Sequence, residues 1–250
     1  MKYIGSKARI AEPIATYINN IALCEGIENY YEPFCGGCSV AQQVRVKNRY
    51  CSDLNKYIIV LWQKVQEGMW EYKFYPREVW EDAKTNLDTG KYDDFFLAWL
   101  GYGCSYKAKF FGGYAGVHEN RNYQKEVYNE LVRERNSVLG IHFSNKSYDE
   151  VDIKPGSIVY CDAPYIGTAE YAVGEFDFDT YYKWLKEIAK ENLVFISEYT
   201  MPAGFKSIDS WEIVIHSATG KRVRRSEQLF VVEGGYLVDK YFNESNSYFL

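Results

Sequence analysis

Short apolar runs that close on a polar residue alternate with helical stripes over much of this chain, and no other feature restricts its fold as strongly. Tyr30-Tyr31-Glu32-Pro33-Phe34 reads as a strand entering a Gly36-Gly37 turn, with a short helix expected over 39–46. Arg49-Tyr50-Cys51-Ser52 is a second strand closing on Asp53; Leu54, Ile58, Leu61 and Val65 then share one helical face. After the turn signal Pro155-Gly156, the run Ser157-Ile158-Val159-Tyr160 predicts a third, buried strand. A helix near 179–191 follows, with Tyr182, Leu185 and Ile188 inward, and then a buried strand over 193–197. The segments 211–216 and 227–232 predict a closing β-hairpin, part of an α/β sheet with helices on both faces.

From about residue 69 to Lys146 the texture changes to many aromatics and a glycine-rich stretch from Gly101 to Gly116. A helix there carries Val127, Leu131 and Val138 on one face. Strand–helix alternation stops, so residues 67–146 read as an inserted, mainly helical subdomain within a domain made of 1–66 and 147–250.

Composition narrows the function classes. With 250 residues, 47% of them hydrophobic, the chain is large enough for one globular unit with a subdomain. A net charge of −5 argues against non-specific coating of nucleic acid while leaving room for a local basic cleft. Lys2, Lys7 and Arg9 precede no apolar signal core, and no run approaches the roughly 18 apolar residues of a membrane span. A cytoplasmic protein with reduced thiols is the simplest expectation for the six cysteines. Cys35-Gly36-Gly37-Cys38 has redox spacing, but no second pair completes a zinc site, so no metal is expected.

Two strand ends carry the chemistry. Asp162-Ala163-Pro164-Tyr165 follows the third strand and sets one carboxylate, one carbonyl and one flat ring around a small space. Pro164 biases Ala163 toward extended angles and so fixes the direction of its carbonyl. Two acceptors beside a ring suit an exocyclic amino group on a stacked base; the competing reading is a surface turn in which Asp162 caps the next helix. At the other strand end, the Glu32–Gly37 turn lets a ligand approach the backbone. Asp53, sixteen residues after Gly37, stands close to the position of an acid that holds ribose hydroxyls. No Gly-Lys-Ser/Thr ending is present, which sets aside a P-loop nucleotide hydrolase.

These segments, taken in order, resemble the Dam-like (D12 class) DNA adenine-N6 methyltransferases. Tyr3-Ile4-Gly5-Ser6-Lys7 is similar to the family's N-terminal aromatic–Gly–Lys motif, Glu32 to Gly37 to its Pro-Phe-x-Gly-Gly loop, and Asp53-Leu54-Asn55 to its Asp-x-Asn. Asp162-Ala163-Pro164-Tyr165 resembles its Asp-Pro-Pro-Tyr, with Ala163 in place of the first proline. Ile196-Ser197-Glu198-Tyr199 and Arg225-Ser226-Glu227-Gln228-Leu229 agree more loosely with its late strand and hairpin.

The resemblance implies a Rossmann-like sheet, S-adenosyl-L-methionine as methyl donor and adenine N6 in double-stranded DNA as acceptor, reached by base flipping. By position it makes Tyr3, Lys7, Glu32, Phe34, Gly36, Gly37, Asp53 and Asp162 cofactor residues, and Asp162, Ala163, Pro164 and Tyr165 catalytic ones. Simple packing for Tyr3 and a solvated helix start for Lys7 are the plainer readings of those two. Cytosine-N4 or RNA-base methylation, or a silent DNA-binding relative, are the alternatives. A restriction endonuclease is a candidate partner, and a monomer or weak dimer the expected state.

The stretch 104–146 carries seven positive side chains, including Arg135 and Lys146, against four negative ones. Lys107, Lys109, Arg121, Lys125 and Arg133 are the expected DNA contacts, with 102–114 as a flexible loop. Lys221 to Arg225 form a second basic cluster, expected in the hairpin turn as either a solvated tip or a phosphate contact.

Overall fold

The computed structural model describes residues 6–68, 70–165, 176–216 and 222–243. Its strands are β1 (Asn29–Glu32), β2 (Asn48–Asp53), β3 (Val117–His118), β4 (Arg121–Asn122), β5 (Ile141–Asn145), β6 (Ile158–Cys161), β7 (Leu193–Glu198), β8 (Phe205–His216) and β9 (Arg222–Val232). Seven of them join one sheet in the order β5-β2-β1-β6-β7-β9-β8, while β3 and β4 pair with each other. The helices are α1 (Ala11–Glu25), α2 (Lys56–Glu67), α3 (Arg77–Thr85), α4 (Asp94–Ala98), α5 (Tyr123–Val138), α6 (Phe178–Ile188) and α7 (Val238–Phe242). Two compact units divide the chain: Met1–Ala15, Cys35–Val44 and Cys51–Ser147 in one, Thr16–Phe34, Arg45–Tyr50 and Tyr148–Leu250 in the other.

In the second unit β1, β6 and β7 run parallel, with Tyr31 opposite Val159 and Cys161 opposite Ile196. Their carboxyl ends, at Glu32, Cys161 and Glu198, therefore finish on one edge. β9 runs antiparallel to β7 and β8 antiparallel to β9. Side chains alternate across the sheet. Val159, Cys161, Val194, Ile196, Phe230 and Val232 pack with Tyr181, Leu185 and Ala189 at α6. On the opposite face Phe195 meets Phe242 of α7 edge-on at 6.0 Å, and Tyr17 of α1 donates its hydroxyl to Asp209 at 3.2 Å. Cover on both faces is why these strands read as unbroken apolar runs. Each large apolar side chain buried this way contributes roughly 1.5–3 kcal/mol.

Several expectations shift by a few residues. The helix expected over 39–46 is a single turn, with the Gln42 N–H donating to the Cys38 carbonyl at 3.1 Å and the Val44 N–H to that of Val40 at 3.2 Å. Cys38 has φ 54°, outside helical geometry, and Val40, Val44 and Val46 are β-branched. α6 turns Tyr181 and Leu185 inward, leaving Tyr182 and Ile188 at the rim. Leu54 stays exposed ahead of α2, which buries Tyr57, Ile58, Ile59, Leu61, Trp62 and Val65. Arg222 to Arg225 lie within β9 rather than in a turn; Lys221 is outside the described residues.

In the first unit, residues 70–147 are mainly helical, with the β3–β4 hairpin and β5. Trp70 is its aromatic hub, edge-on to Phe95, Trp99 and Tyr128 at 4.8, 5.1 and 5.5 Å. The glycines at 101 and 103 serve packing rather than flexibility. A Cβ on Gly101 would stand 2.2 Å from the Phe110 ring, and one on Gly103 2.2 Å from the Trp99 ring. Tyr102, Cys104, Ala108 and Phe111 are buried. Buried Gln124 fastens the region by accepting the Tyr75 N–H and donating to the Tyr75 and Ala115 carbonyls. The stretch 102–114 is thus a stapled segment, not a flexible loop.

Candidate active site

The glycine turn lies in the first unit and is held at Gly36 from two sides, one of them through an Asp53 that is itself fixed. The Gly36 N–H donates to one Asp53 oxygen at 3.0 Å, and the Asn55 N–H to the other at 2.9 Å. The Trp62 indole N–H, fully buried in α2, donates to the Gly36 carbonyl at 2.9 Å. Gly36 takes φ 41°, a left-handed angle that costs glycine little. Asn55 caps α2 by accepting the Tyr57 N–H. Asp53 is therefore a brace as well as a candidate acceptor. Burial raises its pKa, and the Asn55 and Gly36 N–H groups partly offset that. Each carboxylate oxygen keeps a second lone pair for a hydroxyl donor.

Lys7 is 7% exposed, so the solvated helix-start reading fails. A buried ammonium needs a polar partner to offset its lost hydration. Tyr3 lies outside the described residues.

In the second unit, β6 delivers the four-residue motif. Asp162 is half-buried, while the Ala163 methyl is buried in the core under α6. Tyr165 donates its hydroxyl to Glu227 at 2.5 Å and meets the Tyr199 ring edge-on at 4.6 Å. Its pKa is driven far above the ordinary tyrosine range by burial and by the charges of Asp162 and Glu227, so it remains a neutral donor. Tyr160, hydrogen-bonded to Ser197 at 2.8 Å, is likewise raised by burial and then by Asp162. Glu32 is buried and accepts the Tyr30 hydroxyl at 2.6 Å; Phe34 sits among Tyr148, Phe176 and Tyr181. The strand ends of this unit thus gather carboxylates around Tyr160 and Tyr165, a field that favours developing positive charge.

Glu227 and Tyr199 are the residues that sequence reasoning undervalued. The signal was an acid opening the apolar run 227–232.

Among the expected DNA contacts, Lys107, Lys109, Arg121, Lys125 and Arg133 are all exposed. Arg121 is engaged, however, in a two-pronged pair with Glu126 at 3.0 and 2.7 Å. Arg135 is committed to the end of α2, donating to the Val65 and Gln66 carbonyls at 3.2 Å each. Fewer cationic side chains of 104–146 are thus available for contact than its composition suggests. Arg225 is exposed and lies over the Tyr199 ring at 4.8 Å.

The family model for D12 class N6 adenine-specific DNA methyltransferases matches residues 3–192. No curated protein matches the chain. Solved structures similar to it include HI0767 of Haemophilus influenzae, named as a methylase, at 10% identity over 88% of each chain with a TM-score of 0.33. PH1948 of Pyrococcus horikoshii, named as an RNA methyltransferase, shares 10% identity over 87% of this chain and 80% of its own, with a TM-score of 0.38. SMU.472, named as a methyltransferase and complexed with SAH, shares 12% identity over 92% of this chain and 54% of its own, with a TM-score of 0.36. At these TM-scores the three likenesses carry no weight beside the family match.

Proposed function

Since the chain belongs to the D12 class N6 adenine-specific DNA methyltransferase family, which uses S-adenosyl-L-methionine, we propose that it methylates adenine N6 in double-stranded DNA after flipping the target base. The observation that carries this reading is the end of β6, where Asp162, the Ala163 carbonyl and a hydroxyl-anchored Tyr165 follow one another. The Asp162 carboxylate accepts one amine hydrogen and the Ala163 carbonyl the other. Their pull localises the nitrogen lone pair and aims it. Tyr165 presents its ring to the base, and Asp162 stabilises the positive charge that develops on nitrogen. The donor supplies an electrophilic methyl group, so the chain's tasks are placement and electrostatics. A stacked base cannot reach such a strand end, and extrusion costs a few kcal/mol.

The braced Gly36 turn and Asp53 fit a nucleoside-bearing donor, with a half-buried carboxylate ready to accept ribose hydroxyls. Lys7, Glu32, Phe34, Gly37 and Tyr3 are assigned to the same ligand by position. Residues 67–146 serve as the recognition segment, through Lys107, Lys109, Lys125 and Arg133, with Arg121 once released from Glu126. A modification role beside a restriction nuclease, and a monomer or weak dimer, complete the proposal.

Asp162→Ala tests it. Methyl transfer under single-turnover conditions should be abolished while the circular dichroism spectrum stays parental. Activity within about tenfold of the parent would refute the assigned role, since an acceptor used in the transition state is worth more than that.

A further inference from the structure

We propose that Glu227 is a positioning residue that sets the ring plane of Tyr165 for the extruded base, an inference that rests on the methyltransferase reading above. Glu227 is 4% exposed on β9, opposite Trp211 of β8. Its carboxylate accepts the Tyr165 hydroxyl at 2.5 Å. The ring is then fixed at both ends, by its backbone after β6 and by its hydroxyl at β9. The Tyr199 ring, 4.6 Å away at 82°, closes one edge.

Tyr199 is itself fastened. Its N–H donates to Glu198 at 2.7 Å, its carbonyl accepts from Gln228 at 2.7 Å, and the Arg225 guanidinium covers its ring. Three separate sequence regions, at Tyr165, 198–199 and 225–228, thus converge on one aromatic corner. A buried carboxylate is expensive unless a donor satisfies it, and here a donor is the ring hydroxyl that a stacking role by itself would not need. Stacking requires only a flat ring; an anchored hydroxyl adds a single orientation in advance of the base. That is preorganisation, which acts on the rate of transfer and on base capture rather than on the cofactor.

The test is a double-mutant cycle of Tyr165→Phe and Glu227→Ala, read on target-strand duplexes. A hydrogen bond to a charged group predicts a loss of about ten- to hundredfold in kcat/KM for DNA in each single variant. The double variant should be no worse than the weaker single, and cofactor affinity by calorimetry should stay parental. Fluorescence of 2-aminopurine at the target position should rise in Glu227→Ala, as the extruded base stacks less well. Glu227→Gln retains an acceptor oxygen and should recover most of the loss; it also serves if the alanine variant fails to fold. Losses that multiply, or a parental Glu227→Ala, overturn the inference. If the parent protein methylates no adenine, the methyltransferase reading fails separately. The same cycle on thermal unfolding then decides the pair, additivity counting against it.

Discussion

Replacing Asp53 by alanine removes two different things, and the structure separates their sizes. One is the brace, since the Gly36 and Asn55 N–H groups each lose an acceptor now 3.0 and 2.9 Å away. An orphaned N–H at a buried site costs about 1–3 kcal/mol, toward the low end where water can enter, so the melting temperature should fall by several degrees. The other is the proposed ribose contact. Losing hydrogen bonds to a charged acceptor costs roughly 1.5–3 kcal/mol, a ten- to hundredfold rise in the Kd for S-adenosyl-L-methionine. Asp53→Asn keeps one oxygen, and should fall between parent and alanine in both measurements. Calorimetry on the two variants, with DNA affinity measured without cofactor as the control, resolves the two parts. pH adds a check: burial raises the Asp53 pKa, and ribose donors favour the ionised carboxylate. Cofactor affinity should therefore fall as pH drops through that raised pKa, at higher pH than for an ordinary aspartate, and the alanine variant should lose this dependence. A cofactor affinity unchanged in Asp53→Ala, with only stability reduced, would refute the ribose contact and point to Glu32.

Neutralising Lys107 and Lys109 together should flatten the salt dependence of DNA binding and spare cofactor affinity. The slope should change by slightly less than one log unit per log unit of salt for each phosphate that these lysines neutralise in the parent. Parental salt dependence would shift the phosphate-binding role to the basic cluster from Lys221 to Arg225 instead. Gly101→Ala should lower the melting temperature, because its methyl group would overlap the Phe110 ring; overpacking of this kind costs about 1–3 kcal/mol. A variant as stable as the parent would show that the segment 102–114 can yield.

What was legible in the sequence was local. Runs such as 157–161 and 193–197 announce strands because cover on both faces makes them apolar throughout, and the motif at 162–165 stands out because it ends one. The Gly36 turn and Asp53 were legible as a pair, but their direct hydrogen bond was not. The rest depended on contacts between distant positions. Tyr165 and Glu227 are 62 residues apart and meet through the pairing of β7 with β9, which no local pattern encodes. Glycines at 101 and 103 look alike in sequence whether they loosen a loop or admit a ring. Charge counting takes Arg121 as a DNA contact and Arg135 as part of the positive surplus, because composition does not reveal that Glu126 and two carbonyls already hold them. The short helix expected after Gly37 failed for a local reason: Cys38 adopts a left-handed angle that interrupts helical entry.

The most direct test of the account is the identity of the methylated base. The protein would be incubated with tritiated S-adenosyl-L-methionine and unmethylated duplex DNA, and the product digested to nucleosides and analysed by mass spectrometry. The account predicts N6-methyladenine in duplex DNA, none when RNA replaces the DNA, and loss of the signal in Asp162→Ala. N4-methylcytosine, methylation confined to RNA, or no transfer by a protein that still binds the cofactor would contradict it.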